Sequence, residues 1–192
     1  MDSTLKDKNY CRKINSYLEQ MEWLRDTEYI KDKKYMECVY DIMLSKPFQK
    51  MNDYIQHGTT TTLEHCISVS YFSYKICKSF GYDYVSAARG GLLHDLFLYD
   101  WHTHCKETGN HFHGFTHPVV ALRNAEKYYD LNDVEKDIIK KHMWPLTVIP
   151  PKSKEGYVVM YADKYCSFLE TTNRIKDNLK INNLIDYLAN IL

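Results

Sequence analysis

The chain has 192 residues, which is enough for one domain to bury a hydrophobic core without disulfides or a structural metal. Its 25 lysine and arginine residues balance 25 aspartate and glutamate residues, so no overall positive field attracts a nucleic acid polymer or an anionic membrane. No apolar run approaches the roughly 18 residues that indicate a membrane-spanning helix. We therefore expect neither nucleic acid polymers nor membranes as partners.

Cysteine usage indicates the cellular compartment. The six cysteines form no Cys-x-x-Cys pair, which is the spacing typical of redox and zinc motifs. The N-terminus starts with the charged sequence MDSTLKDKNY and not with an apolar secretory leader. We therefore expect free thiols and a cytoplasmic protein.

The two ends of the chain are predicted to be helical extensions. Apolar residues recur at helical spacing over residues 10–24 and 33–43, and we expect this segment, residues 1–50, to pack on a central domain of residues 51–172. The last segment, residues 173–192, is predicted to be an amphipathic helix. If the protein forms a homo-oligomer, we expect these terminal helices to mediate it.

Strand signals are weak in the central domain, and its first helix carries clear end signals. Thr61 and Glu64 make a capping box for a helix over residues 62–80. Gly81 suits the left-handed backbone conformation that commonly follows a helix end. The sequence therefore predicts an all-α protein.

The next helix is predicted from about residue 83 to residue 97, with small residues that allow a neighbouring helix to approach closely. Residues 99–116, rich in His, Thr, Gly and Asn, are predicted to form a loop. Pro118 favours the first position of a helix that continues to Tyr129.

Two further helices complete the predicted domain. Asn132 and Glu135 form a capping pattern for a helix that ends before Pro145. The last helix of the domain is predicted over residues 154–169.

Six residues of metal-ligating type are spread over these helices. They are His65, His94, Asp95, His117, His142 and Asp163. A mixed set of imidazoles and carboxylates suits Mn, Fe, Co, Ni or Zn. Four of them are enough for one ion, and His117 and His142 supply nitrogens for a second. Asp95 has two carboxylate oxygens and could bridge two ions about 3.5–4 Å apart, the separation typical of two-metal phosphoryl-transfer sites.

This order of residues resembles the signature of the HD-domain superfamily, which consists largely of metal-dependent phosphohydrolases with an all-helical fold. The resemblance covers roughly residues 55–170 and includes His65, the segment His94–Asp95–Leu96 and Asp163 in YADKY. His117 and His142 are similar to the further ligands of its two-metal subset. The resemblance implies two divalent metal ions per chain, a helical bundle, and hydrolysis of a phosphate ester or diester by a water that the metals activate. A small, nucleotide-like phosphorylated substrate is the expected partner.

Two departures from the family pattern affect the expected site. Many catalytic members follow the HD pair with an Ile-Gly-Lys-like segment whose lysine contacts phosphate, whereas residues 96–100 here are LFLYD. Some three-metal relatives carry a Glu four residues before the first His, where this chain has Thr61, so a third ion is not expected.

Another cation must therefore contact the phosphate. Lys164, next to Asp163, is the first candidate and is assigned a catalytic role together with Asp95. His102 and His104 of the predicted loop, and Arg123, are weaker candidates for substrate binding. Arg89 is better explained as a basic residue that ties its helix to a neighbour.

Two other functions remain open at this point. The same ligand order is similar to that of HD-type oxygenases with a mixed-valent di-iron centre, because histidine and carboxylate suit iron as well as manganese. A non-catalytic nucleotide sensor is the third alternative, and the missing lysine after the HD pair supports it.

Overall fold

The computed structural model describes residues 28–101 and 113–172. In these ranges the helices are α1 (Glu28–Lys31), α2 (Lys33–Met43), α3 (Lys46–Gln49), a 3-10 turn (Lys50–Asp53), α4 (Thr62–Ser79), α5 (Tyr84–Leu93), α6 (His113–Tyr128), α7 (Asp133–Lys141) and α8 (Lys154–Thr171). Two short antiparallel strands, β1 (Ile55–His57) and β2 (Thr60–Thr61), precede α4. The predicted all-α class is confirmed.

Side-chain caps fix the starts of two central helices. The Thr61 hydroxyl accepts a hydrogen bond from the Glu64 amide at 3.2 Å, and the Glu64 carboxylate accepts from the Thr61 amide at 2.7 Å. Asn132 and Glu135 make the same reciprocal pair at the start of α7. Both predicted caps are therefore confirmed, and each stabilises its helix by about 1 kcal/mol. Gly81 has the expected positive φ, 69°.

Helix α4 lies at the centre of the core, and α5 approaches it closely. A Cβ atom on Gly91 would lie 2.9 Å from the Ser70 Cα, and one on Gly90 would lie 2.8 Å from the Ile138 side chain of α7. Only glycine fits at these distances. The predicted role of the small residues of α5 in close helix packing is therefore confirmed.

Arg89 joins three helices through ion pairs. Its guanidinium contacts Asp41 of α2 at 2.8 Å and the buried carboxylate of Glu135 at 3.0 Å. It also donates a hydrogen bond to the Cys38 carbonyl at 3.1 Å. The structural role predicted for Arg89 is confirmed, so this residue is not free to bind phosphate.

Two predicted helix boundaries are wrong. Helix α5 ends at Leu93, with His94 as its C-cap, and not near residue 97. The chain turns there because Leu96 and Phe97 are buried, and Leu98 takes a positive φ of 59°.

Helix α6 already includes His113, whereas the sequence predicted a start at Pro118. Residues 113–116 are therefore helical, and Pro118 lies inside the helix. Proline inside a helix removes one backbone hydrogen bond, and its ring crowds the carbonyl group four residues earlier. Packing of the preceding turn offsets this loss, because Gly114 lies against Leu146 and Met143.

Several predictions fall outside the described residues. They are the helices over 10–24 and 175–192 and most of the loop, including His102 and His104. The three-segment division of the chain and an oligomer through terminal helices therefore stay predictions. None of the helices in the described part of the chain has the length and apolarity that crossing a membrane requires.

Candidate metal centre

Five helices bring the six predicted ligands to one place inside the bundle. His65 lies in the first turn of α4, the His94–Asp95 pair follows α5, and His117 lies on α6. His142 is the C-cap of α7, and Asp163 lies in the middle of α8. All six side chains are buried.

The first group of donor atoms surrounds Asp163. Its Oδ1 lies 3.2 Å from Nε2 of His65 and 3.7 Å from Nε2 of His94. The same nitrogen of His94 lies 3.4 Å from Oδ2 of Asp95. Three helices thus contribute donor atoms to one point.

The second group surrounds the other oxygen of Asp95. Oδ1 of Asp95 lies 3.1 Å from Nε2 of His117 and 3.4 Å from Nε2 of His142. These two nitrogens are 2.8 Å apart. The Asp95 carboxylate therefore lies between the two groups, with one oxygen toward each.

These distances fit metal coordination. Two ligand atoms that each lie about 2.1 Å from one ion, at angles of about 90–110°, are roughly 3.0–3.4 Å apart. Two groups of three His and Asp residues bring their ligand atoms within 4.8 Å of one another and could each hold an ion: His65, His94 and Asp163, and His94, Asp95 and His142. Nε2 of His94 and Oδ1 of Asp95 are buried and make no hydrogen bond of normal geometry with the described residues. Buried polar atoms without partners are costly, and a bound ion removes that cost.

Hydrogen bonds on the far side of the rings hold three histidines in the required tautomer. Nδ1–H of His94 donates to the Gly91 carbonyl at 2.7 Å, and Nδ1–H of His142 donates to the Ile139 carbonyl at 2.9 Å. Nδ1–H of His65 donates to the carboxylate of Glu170. In the neutral form of each ring the lone pair is therefore on Nε2, the nitrogen that faces the other metal-ligating atoms.

A family comparison agrees with this geometry. The sequence model of the HD-domain family matches residues 62–167, which is more than half of the chain. This chain belongs to the HD-domain family. The resemblance drawn from the sequence is therefore confirmed. HD domains form a superfamily of metal-dependent phosphohydrolases. Searches among curated proteins and among solved structures found no match.

Opposite charges in the HD-domain centre stabilise one another. Burial by itself lowers the pKa of His65, but the carboxylates of Glu170 and Asp163 outweigh it and raise that pKa to about 10. Burial by itself raises the pKa of Asp95, but His94 and His117 outweigh it and hold that pKa well below its usual range. The Asp95 carboxylate is therefore ionised at neutral pH, which is the form in which a carboxylate binds a metal ion.

His142 differs from its neighbours. Burial lowers the pKa of this imidazole below its usual value, although Asp95 acts in the opposite direction. His142 is therefore neutral at neutral pH. A neutral imidazole is the form that binds a metal ion.

Glu170 is a residue of the centre that the sequence analysis missed. It is buried, and its two carboxylate oxygens lie 3.0 and 2.9 Å from Nδ1 of His65. Such carboxylate–histidine pairs orient a ligand ring and raise its basicity. Its position seven residues after Asp163, two turns along one helix face, was the available signal.

Removing Glu170 is expected to weaken metal binding. Glu170→Ala should lower metal affinity by about 10–100-fold, because His65 loses the partner that orients its ring. Glu170→Gln keeps a hydrogen-bond acceptor and should lose less. The measurement is a competition titration with a metal-binding dye. Glu155→Gln, on the same helix, is the control and should keep wild-type affinity, whereas unchanged affinity in Glu170→Ala would exclude the orienting role.

Gln56 of β1 is a second residue that the sequence analysis missed. Its side-chain amide donates to Oδ2 of Asp95 at 2.6 Å, and its oxygen accepts from the Thr62 hydroxyl at 3.1 Å. Gln56 thus holds the Asp95 carboxylate in the orientation that places Oδ1 near His117 and His142. The strand ribbon, which the sequence analysis did not predict, positions this amide.

A cavity of about 660 Å³ opens onto the centre, and Asp95, His117, His142 and Asp163 form part of its lining. Lys164 also lines it, and its ammonium group donates to the His142 carbonyl at 3.2 Å. Burial lowers the pKa of Lys164, and the neighbouring Asp163 opposes that shift.

The other candidates for substrate binding have different positions. Arg123 is exposed on α6 and is not among the residues that line the cavity. Leu96 and Phe97 of the segment after the HD pair are buried in the core. The roles of His102 and His104 stay predictions. Lys164 is thus the cation that the described structure places beside the donor groups.

Proposed function

We propose that this HD-domain protein hydrolyses a phosphate ester or diester of a small, nucleotide-like molecule. The observation that carries the proposal is the position of Asp95 between two groups of buried metal-ligating atoms, in the lining of a cavity that Lys164 also lines. A carboxylate shared between two ions is typical of sites that catalyse displacement at phosphorus. The proposal includes two divalent ions per chain, from among Mn, Fe, Co, Ni and Zn.

The residues divide between two ion positions. His65, His94, Asp163 and Oδ2 of Asp95 would hold the first ion, and His117, His142 and Oδ1 of Asp95 would hold the second. When bound, the ions supply a water that is nucleophilic near neutral pH and neutralise charge on the phosphate oxygens.

Lys164 has a separate role in the proposal. Its ammonium group lies at the cavity, next to the Asp163 carboxylate, and would donate a hydrogen bond to a phosphate oxygen. In the reaction a water oxygen forms a bond to phosphorus, the ester P–O bond breaks, and the leaving oxygen takes up a proton. Lys164 thus replaces the lysine that many family members carry after the HD pair.

The first test is a substrate panel. Protein loaded with Mn or Co should release phosphate or a nucleotide from at least one phosphomonoester, cyclic nucleotide or cyclic dinucleotide, and a chelator should abolish the activity. Lys164→Met should lower turnover without lowering metal content. Tight nucleotide binding without turnover under several metals would instead support the sensor.

The second test is metal stoichiometry. Titration of metal-free protein should reach two ions per chain, because six donors exceed the four that a single ion requires in a His₂Asp₂ site. The His117→Ala variant should reach one. Saturation of the wild type at a single ion would rule out the second position.

Metal identity separates hydrolysis from oxygenation, because the donor set suits iron as well. Elemental analysis of untagged protein should be combined with electron paramagnetic resonance. Bound iron with a mixed-valent signal would support the di-iron oxygenase in place of the hydrolase.

A further inference from the structure

One part of the cavity lining is apolar. It consists of Trp101, Met143, Pro145 and Leu146, together with Gly114. The cavity volume of about 660 Å³ lies within the roughly 300–1,000 Å³ typical of sites for small organic molecules. The site therefore has room and apolar surface that a phosphate group alone does not need.

Neighbouring contacts hold this apolar lining in place. A Cβ atom on Gly114 would lie 3.0 Å from Cδ2 of Leu146 and 3.8 Å from Cε of Met143. The amide of Leu146 donates to the Met143 carbonyl at 2.8 Å, which closes a tight turn. The start of α6 thus packs directly against the segment that follows α7.

The other end of the same segment is also attached to the domain. The Lys152 amide donates to the Asp137 carboxylate at 2.7 Å, and Asp137 pairs with Lys141 at 2.6 Å. Leu146 nevertheless keeps 45% of its surface exposed. An apolar side chain that is held in place and still exposed at a cavity is available to a ligand.

The polar lining comes from other elements. Lys164 and Ser167 belong to α8, and Gln56 and His57 belong to β1. The cavity thus combines an anion-binding region, next to the donor groups, with an uncharged apolar region.

We propose that the cavity selects phosphate esters whose organic group presents an uncharged, apolar surface of the size of an aromatic ring. The phosphate lies beside Asp95, Asp163 and Lys164, and the organic group lies against Met143, Pro145 and Leu146. This inference rests on the proposed function for the position of the phosphate, and it narrows the substrate class of the same site.

The test compares two non-hydrolysable probes that carry the same anionic group. Methylphosphonate and benzylphosphonate are titrated into Mn-loaded full-length protein by calorimetry. Benzylphosphonate should bind roughly tenfold or more tightly, because its ring removes apolar surface from water. Leu146→Ala and Met143→Ala should each reduce that preference several-fold and leave methylphosphonate affinity unchanged. Val148→Ala is the matched control, because Val148 is 90% exposed on the same segment and does not line the cavity.

The outcomes separate this inference from the proposed function. Equal affinity for the two probes would overturn the apolar specificity and leave the phosphate site intact. A benzyl preference that depends on Leu146, in a protein that turns over no member of the substrate panel, would support the apolar region and refute hydrolysis. If the Mn-loaded protein binds neither probe, both proposals are wrong.

Discussion

Asp95→Asn is expected to lose both metal ions and more than about 100-fold in turnover. Loss of a residue that only hydrogen-bonds a metal ligand typically lowers metal affinity or activity by about 10–100-fold. Asp95 should matter more, because its two oxygens face the two groups of metal-ligating atoms directly. Asparagine keeps the shape of the side chain but removes its charge, so two cations at short range would lose the anion between them. Metal content by elemental analysis and kcat by phosphate release should fall together.

Two controls accompany this substitution. Asp133→Asn removes a carboxylate from the exposed first turn of α7 and should change neither quantity. His102→Ala, outside the described residues, should leave the metal content intact and alter at most the KM. If Asp95→Asn retains two ions and full turnover, Asp95 does not bridge them.

Metal removal is expected to destabilise the fold as well as to abolish turnover. Protein at metal concentrations of roughly 100 to 1,000 times Kd should have a free energy of unfolding about 3–4 kcal/mol above that of metal-free protein. The physical reason is that Nε2 of His94 and Oδ1 of Asp95 are buried without good hydrogen bonds in the described structure. Urea unfolding with and without a chelator measures the difference.

This measurement does not depend on knowing a substrate. The Asp95→Asn variant should show a much smaller metal-dependent gain in stability, while Asp133→Asn should show the full gain. Identical unfolding curves for metal-loaded and metal-free wild-type protein would argue against a buried metal centre.

Local features of the fold could be predicted from the sequence because they depend on residues close together in the chain. The capping boxes of Thr61 with Glu64 and of Asn132 with Glu135 act within a single turn. The small residues of α5 also indicated a close helix contact, because a glycine or alanine can be read directly from the sequence and leaves room for a neighbouring helix. The HD-domain family could be identified because its donor residues occur in a set order.

Tertiary packing decided the remaining features. Glu170 lies 105 positions from His65 in the chain and Gln56 lies 39 positions from Asp95, yet both pairs are hydrogen-bonded. Pro118 suggested a helix start by local rules, but contacts of the preceding turn with Leu146 and Met143 placed the start earlier. The apolar lining of the cavity likewise combines residues from different elements.

The sequence by itself determined which residues carry side chains of metal-ligating type and where most of the helices begin, because ligand chemistry and helix caps are properties of single residues and single turns. Only the tertiary structure decided which oxygen of Asp95 faces which histidines, which carboxylate orients His65 and which side chains line the cavity. Those features depend on how helices distant in the chain pack against one another. Contacts between such helices have no fixed spacing that a sequence pattern could show.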